Sequence, residues 1–237
     1  MNFNEFKELV AAACQAQGIT EYELYYQAGS ELSVDTFQHS VNEFTSSQEG
    51  GVCFRCIVGG KMGSASTELF SDDEMKALVA RAIENAKNIE SDDKAVIFAG
   101  SEKYAELTLP EFPAKSTADL KSLALDLHNK ISAESEYIID GTSAMVIQNS
   151  TRIVLINSHG LELSNRVGMT GCYVAAVVNK DGEARDNFEF AENINCDDAA
   201  KLPAKAVQGA LDKIGASEIP TGKYNIVIDG TQMRSLL

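Results

Sequence analysis

Chemistry in this chain would have to come from a small set of side chains, because 237 residues contain only five cysteines and three histidines. Cys53 and Cys56 stand in the C-x-x-C spacing that holds zinc or a redox disulfide when the pair sits in a turn or at a helix start. Here the pair lies inside Val52-Cys53-Phe54-Arg55-Cys56-Ile57-Val58, an apolar run that reads as a strand. Residues three apart on a strand point to opposite faces, so the two sulfurs diverge. No second pair accompanies them, and both are expected to fill core volume. Gly59-Gly60-Lys61-Met62-Gly63-Ser64 has the composition of a phosphate loop but not its order. Met follows the lysine, and Arg55 and Cys56 stand where the upstream glycine is required. A lysine-bearing hairpin turn is the simpler account. His39 falls in a turn, His128 at the edge of a helix stripe and His159 before Gly160, with no His-Glu-x-x-His spacing for zinc. No Gly-x-Ser-x-Gly nucleophile elbow is present. No catalytic or metal-binding residue is assigned, and the substrate-binding residues stay unknown.

The elements around these residues are more informative than the residues themselves. Gly50 to Glu84 reads β-turn-β-helix: strand 52–58, the glycine-lysine turn, a small-residue strand Ser64-Ala65-Ser66-Thr67, then a helix. Ser71 is the expected N-cap of that helix, with Glu74 as its capping-box partner. Met75, Leu78, Val79, Ala82, Ile83 and Ala86 keep one face apolar. A similar unit recurs. Gly51 to Val58 matches Gly171 to Val178, each half has a lysine-containing turn, and Ser71-Asp72-Asp73 matches Cys196-Asp197-Asp198. Glu31-Leu32-Ser33 is likewise set against Glu162-Leu163-Ser164. The offset drifts from about 120 to about 131 positions, as loops of different length would produce.

Elsewhere, residues 3–16 form an amphipathic helix on Phe3, Phe6, Leu9, Val10 and Ala13, stopped by Gly18. Glu23–Gln27 reads as a strand ended by Gly29-Ser30, Glu31–Phe37 as a second and Val41–Ser46 as a third. Lys94–Ala99 reads as a short strand. Pro110 and Pro113 make 100–115 the expected domain boundary. Beyond it, Ser116 or Thr117 caps a helix on Leu120, Leu123, Ala124, Leu127 and Ile131. Strands are expected at Tyr137–Ile139, Ala144–Asn149, Arg152–Asn157, from Gly160 to Ser164, and at Thr170–Val178. Asn179-Lys180-Asp181-Gly182 is a hairpin turn sequence. Asn195 is the expected cap of a last long helix, with Pro203 bending or restarting it and Gly215 closing it. Lys223–Asp229 reads as a clear strand, followed from Thr231 by a helix that breaks off. The fold class expected is α+β, mostly antiparallel sheets with packed helices and an internal β-turn-β-helix duplication. The expected domains are 1–100, 101–220 (a possible repeat of the first) and 221–237, the start of a truncated C-terminal domain.

Bulk composition narrows the function classes. A hydrophobic content of 44% and a charged content of 23% are those of a globular protein. The net charge of −15 argues against nucleic acid as a partner, since phosphate binding depends on lysine and arginine. Neither a signal-peptide core nor a span long enough for a bilayer is visible, and the odd cysteine count suits reduced thiols in a cytoplasm.

Gly51-Val52-x-Phe54-Arg55, Lys61-Met62-Gly63-Ser64-Ala65-Ser66-Thr67 and Leu69-x-Ser71 with its Ala-rich helix resemble the N-terminal domain of the TldD/PmbA family, also called modulator of DNA gyrase. Asn157-Ser158-His159-Gly160 and Gly182-x-x-x-Arg185-Asp186 resemble the signature of its middle domain. The run at 63–67 is more similar to the PmbA (TldE-like) branch, and His39-Ser40 departs from the family's usual Asn-Gly-type turn. The resemblance implies a cytoplasmic protein about twice this length. It implies pairing of TldD-type and PmbA-type subunits, or a homodimer, into a zinc metallopeptidase that cleaves unfolded peptides. The His-Glu-x-x-x-His motif that holds zinc belongs to the TldD-type partner, so no cofactor is expected in this fragment. Two other readings stay open: a truncated TldD-type catalytic subunit, and a non-enzymatic binding protein acting on gyrase.

Overall fold

Period-two alternation along very long segments, rather than short separate strands, builds this molecule. A computed structural model describes residues 1–91, 93–104, 114–195, 197–234 and 236. In chain order the elements are α1 (Phe3–Ala16), β1 (Tyr22–Phe37), β2 (Ser40–Val58), β3 (Lys61–Thr67), α2 (Asp72–Lys87), α3 (Thr117–Ala133), β4 (Ser143–Asn157), β5 (Glu162–Lys180), β6 (Glu183–Ala191), α4 (Asp197–Leu211) and α5 (Gly230–Arg234). All six strands form one antiparallel sheet in the order β3-β2-β1-β4-β5-β6. The α+β class and the duplication are thus observed directly: helix, three strands and helix occur twice, and the two sets meet at the β1–β4 pairing.

Several strands expected as separate are continuous. Gly29-Ser30 does not end β1, because Gly29 is paired on both sides, to Glu49 and to Thr151. In the same way Val41–Ser46 and 52–58 are parts of β2, 144–149 and 152–157 parts of β4, and 162–164 and 170–178 parts of β5. Pairing on both flanks carries the breaks in β1 and β4, whereas residues 47–51 of β2 and 165–169 of β5 are each carried by one neighbour, β1 and β4 respectively. Two expected strands are absent. Lys94–Ala99 is irregular, held by Ala95 N–H to the Gly60 carbonyl at 3.2 Å. Lys223–Asp229 takes no place in the sheet and leaves Ile226 78% and Val227 97% exposed. An apolar alternation without a neighbour to pair with is not a strand. Tyr137–Ile139 contributes only an isolated bridge, Ile138 to Val178.

The long helices α1 to α4 cover one face of the sheet. Leu24, Val34, Phe54, Val146, Val154 and Val174 share that face by register and are buried. Two cores result. One joins α1 and α2 to Leu24, Phe54, Cys56 and Val154; the other joins α3 and α4 to Val34, Val146, Val174 and Val178. Each buried side chain of this size contributes roughly 1.5–3 kcal/mol. Each core therefore uses strand ends from both repeats, and the sheet runs unbroken past the expected boundary at 100–115, of which 105–113 lie outside the described residues.

The caps follow the sequence in part. Ser71 accepts from the Glu74 N–H at 3.2 Å, but the Glu74 carboxylate does not return to the cap; it takes Arg81 at 2.8 Å instead. Ser116 caps α3 in a full capping box with Asp119, and Asn2 with Glu5 does the same for α1. Pro203 sits inside an unbroken α4. That helix is described from Asp197, and Cys196, the residue that follows the expected cap Asn195, lies outside the described residues.

The paired turn motifs behave alike. Gly59 and Gly60 (φ 60° and 79°) and Asp181 and Gly182 (φ 55° and 85°) close β2–β3 and β5–β6 in left-handed conformations. Gly51 and Gly171 also hold equivalent places, each one residue before its strand pairs with the end of the sheet's edge strand (Val52 with Thr67, Cys172 with Ala191). A Cβ there would come within 2.9 Å of the Thr67 carbonyl and 2.7 Å of the Ala191 carbonyl, respectively. The proposed match of Glu31–Ser33 with Glu162–Ser164 does not survive, because the first lies on β1 and the second opens β5, the counterpart of β2.

Candidate functional site

The sheet face opposite the helices is where backbone and side chains are open to a ligand. Strand parity puts Tyr25, Gln27, Cys53, Thr151 and Ser66 on that side, and Tyr173, Phe188 and Phe190 farther along it. A trough of about 690 Å³ crosses β4, β1, β2 and β3, lined by Tyr25, Gln27, Gly29, Glu49, Gly51, Cys53, Ser66, Glu68 and Thr151. Glycine within a strand marks a bulge or a close approach of another backbone. Gly51 is accounted for by the Thr67 carbonyl. Gly29 is not: a Cβ there would make only ordinary contacts, 3.5 Å to the Ser150 carbonyl and 3.6 Å to Thr151 Oγ1. The trough is long, shallow and mixed in polarity, a shape that suits an extended chain better than a compact small molecule.

One end of this face is closed. Asn157 Nδ2 donates to the Phe98 carbonyl at 2.7 Å, drawing the 94–104 segment toward the β4 end. Glu23 is 3% exposed there and is held by Arg55 on β2, whose Nε donates at 2.7 Å and whose Nη2 also reaches the carboxylate.

The two outer edges of the sheet differ. On β3, Asn85 Nδ2 donates to the Ser64 carbonyl at 2.8 Å and Arg81 Nη2 to the Ser66 carbonyl at 3.3 Å, so α2 caps that edge. On β6, Lys213 Nζ caps the Asp186 carbonyl at 2.6 Å. Antiparallel alternation turns the backbone groups of Phe188 and Phe190 outward in the same way, and no side chain among the described residues hydrogen-bonds to them, although Arg234 lies over the Phe190 ring at 5.6 Å. Their rings are about half exposed, with Tyr173 stacked on Phe188 at 5.5 Å between centroids.

The residues singled out in the sequence fall as follows. Cys53 lies half-buried in the trough and Cys56 is buried under the helices, so the pair diverges as strand geometry requires. Burial, reinforced by Cys56, pushes the Cys14 thiol up to about 12, and burial raises Cys56 as well. Both are poor nucleophiles. His159 pairs with Glu21 at 2.9 Å. His39 and His128, far apart in sequence, meet edge to face with ring centroids 4.7 Å apart, a contact that helix and turn patterns read singly could not reveal. Among the described residues, no group of three histidine, cysteine or acidic side chains converges as a metal would need, so the donors here do not fit zinc.

Two family models match the chain in order: PmbA/TldA metallopeptidase domain 1 over residues 22–86 and the PmbA/TldA metallopeptidase central domain over 110–214. No curated protein sequence matches it. Among solved structures, a Thermotoga maritima protein named for modulation of a DNA gyrase is similar at 19% identity and a TM-score of 0.77, over 93% of this chain and 50% of that one. TldE from Thermococcus kodakarensis follows at 17% and 0.74, over 86% and 47%. A Bacteroides thetaiotaomicron protein, also named for modulation of DNA gyrase, follows at 19% and 0.74, over 94% and 53%. The chain thus spans about half the length of these structures.

Proposed function

The chain belongs to the PmbA/TldD metallopeptidase family, and from that membership we propose that it is the N-terminal part of a PmbA/TldE-like, non-catalytic subunit of a zinc metallopeptidase complex acting on unfolded peptides. The observation that carries its role is the open sheet face: a trough floored by Gly29 and, farther along the same face, the partly exposed rings of Tyr173, Phe188 and Phe190 beside a β6 edge that is only partly capped. An extended peptide supplies backbone donors and acceptors to such an edge and side chains to such a face, which is the strand-addition mode of recognition. The capped β3 edge is unsuited to it. Zinc is supplied by a TldD-type partner in the cytoplasm, and the chain's own residues bind and orient peptide without taking part in bond cleavage.

The test is co-purification with a TldD-type subunit, followed by metal-dependent cleavage of an unfolded peptide by the pair. The 237 residues alone are expected to be inert. Cleavage by the isolated chain would overturn the non-catalytic assignment, and a His-Glu-x-x-x-His motif in sequence following Leu237 would turn it toward the TldD type. Retention of gyrase without any TldD-type subunit would favour a binding protein instead.

A further inference from the structure

Gln38 and His39 close the β1–β2 hairpin with φ of 46° and 58°, two successive left-handed residues, neither of them glycine. Such a pair persists only where its surroundings hold it. The holding group is on α3. The His39 backbone N–H donates to His128 Nε2 at 3.2 Å, so that nitrogen is an acceptor and the ring proton sits on Nδ1. Nδ1–H then donates to Thr36 Oγ1 at 3.0 Å, and the Thr36 hydroxyl donates to the Ala144 carbonyl at 2.9 Å while accepting the Ala144 N–H at 2.9 Å. His128 and Thr36 are buried. Further ties reach the tip from outside: His39 Nδ1 to Asn129 Oδ1 at 3.0 Å, and Gln38 Nε2 to Asp140 Oδ2 at 2.9 Å.

We propose that His128 is a proton-operated latch: neutral, it holds the β1–β2 tip in its left-handed form, and protonated, it releases the tip. A proton added at Nε2 replaces the acceptor by a second donor, so that two N–H groups face each other at hydrogen-bond distance. The bond is lost and the His39 amide must turn to water. A cavity of about 310 Å³ beside the pair, lined by His39, His128, Ser132, Glu136, Asp140 and Thr142, lets that water in. The charged and titratable neighbours are Asp35 on β1, His39 in the turn, and Glu136 and Asp140 in the segment after α3. Burial, with a smaller contribution from His39 and against Asp35, holds the His128 pKa below its ordinary value near 6.5. The neutral form therefore belongs to the fold. The latch is closed above about pH 6.5 and opens as pH falls through the lowered folded value.

The test is amide exchange at His39, with ¹⁵N spectra of the imidazole, on the full chain between pH 7.5 and 5. The expected result is an Nδ1–H tautomer at pH 7.5 and a His39 amide whose protection falls by roughly tenfold or more at pH 5. An Nε2–H tautomer, or protection unchanged down to pH 5, overturns the proposal. His128→Gln keeps an acceptor and a donor but does not titrate, so its protection is expected to be independent of pH. His39→Asn keeps the left-handed preference and removes the other ring. Persistence of the pH dependence in that variant supports His128 as the titrating group, and its loss overturns the assignment.

Discussion

The first repeat (α1, β1–β3, α2) and the second (α3, β4–β6, α4) share a topology and differ in how each is closed. Each long hairpin is held at its tip by the opposite repeat. The β1–β2 tip is secured by His128 on α3, and the β4–β5 turn by Tyr22 N–H to Ser158 Oγ at 3.1 Å and by Glu21 to His159. Lys7 on α1 adds an ion pair to Glu162 at 3.1 Å. The close strand–helix approach is solved in opposite ways. In the first repeat the glycine is on the strand, where a Cβ on Gly63 would lie 1.9 Å from the Ala82 carbonyl; in the second it is on the helix, where a Cβ on Gly209 would lie 2.4 Å from Asn187 Nδ2. The edges differ too, β3 capped by its helix and β6 partly open. The lesson is that strand pairing and face parity are what the repeats have in common, while tips, close approaches and edges are settled locally by whichever side chains are at hand.

The largest expected effect tests the glycine exchange. Gly63→Ala meets backbone that cannot step aside, so it should destabilise by about 3 kcal/mol or more, read by urea unfolding. Gly209→Ala meets a side chain that can rotate, and better helix propensity offsets part of the strain, so the loss should be about 1 kcal/mol or less. Equal losses would break the comparison. Next in size is the Glu23–Arg55 pair, whose place in the second repeat is taken by the neutral, paired Ser143 and Ala175. Arg55→Met leaves a buried carboxylate alone and should cost about 2 kcal/mol, a figure already reduced because Arg55 is itself half exposed. Adding Glu23→Ser should recover most of it, and full additivity of the two losses would deny the pairing.

Smaller effects sharpen the open face. Gly29→Thr has room in the fold, so its unfolding midpoint should stay within about 0.5 kcal/mol of the parent while peptide affinity for the assembled complex drops. A variant that binds peptide normally would remove the trough from the proposed site. Last, alkylation of the native chain followed by mass spectrometry should modify Cys53 well before Cys14, Cys56 or Cys172, all three of them buried. Preferential loss of Cys56 would show that the helix-covered face opens readily.

Much of this was readable in one dimension where a short-range rule applied. Asp181-Gly182 and Gly59-Gly60 mark turns by their own backbone freedom, Ser71 and Ser116 mark helix starts, and Cys53 and Cys56 diverge by strand period alone. What was misread had its cause elsewhere in the chain. Gly29-Ser30 looks like a stop until β2 and β4 pair across it, and Lys223–Asp229 looks like a strand until no neighbour is found for it. Glu74 satisfies the capping-box spacing, yet Arg81 takes its carboxylate. Of the candidate site, Cys53 was visible as a residue, but the trough around it was not, because its walls come from four strands.

By itself, then, the sequence determined the duplicated β-turn-β-helix units, the helix faces, two of the tight turns and the family, since each depends on periodicity or on residues a few positions apart. Only the tertiary structure decided that six long strands make one sheet, that one face stays open, that α2 caps one edge while β6 keeps another, and that His39 and His128 meet. Those features depend on which segments become neighbours, and that is set by two-sided hydrogen bonding and burial summed over the whole chain.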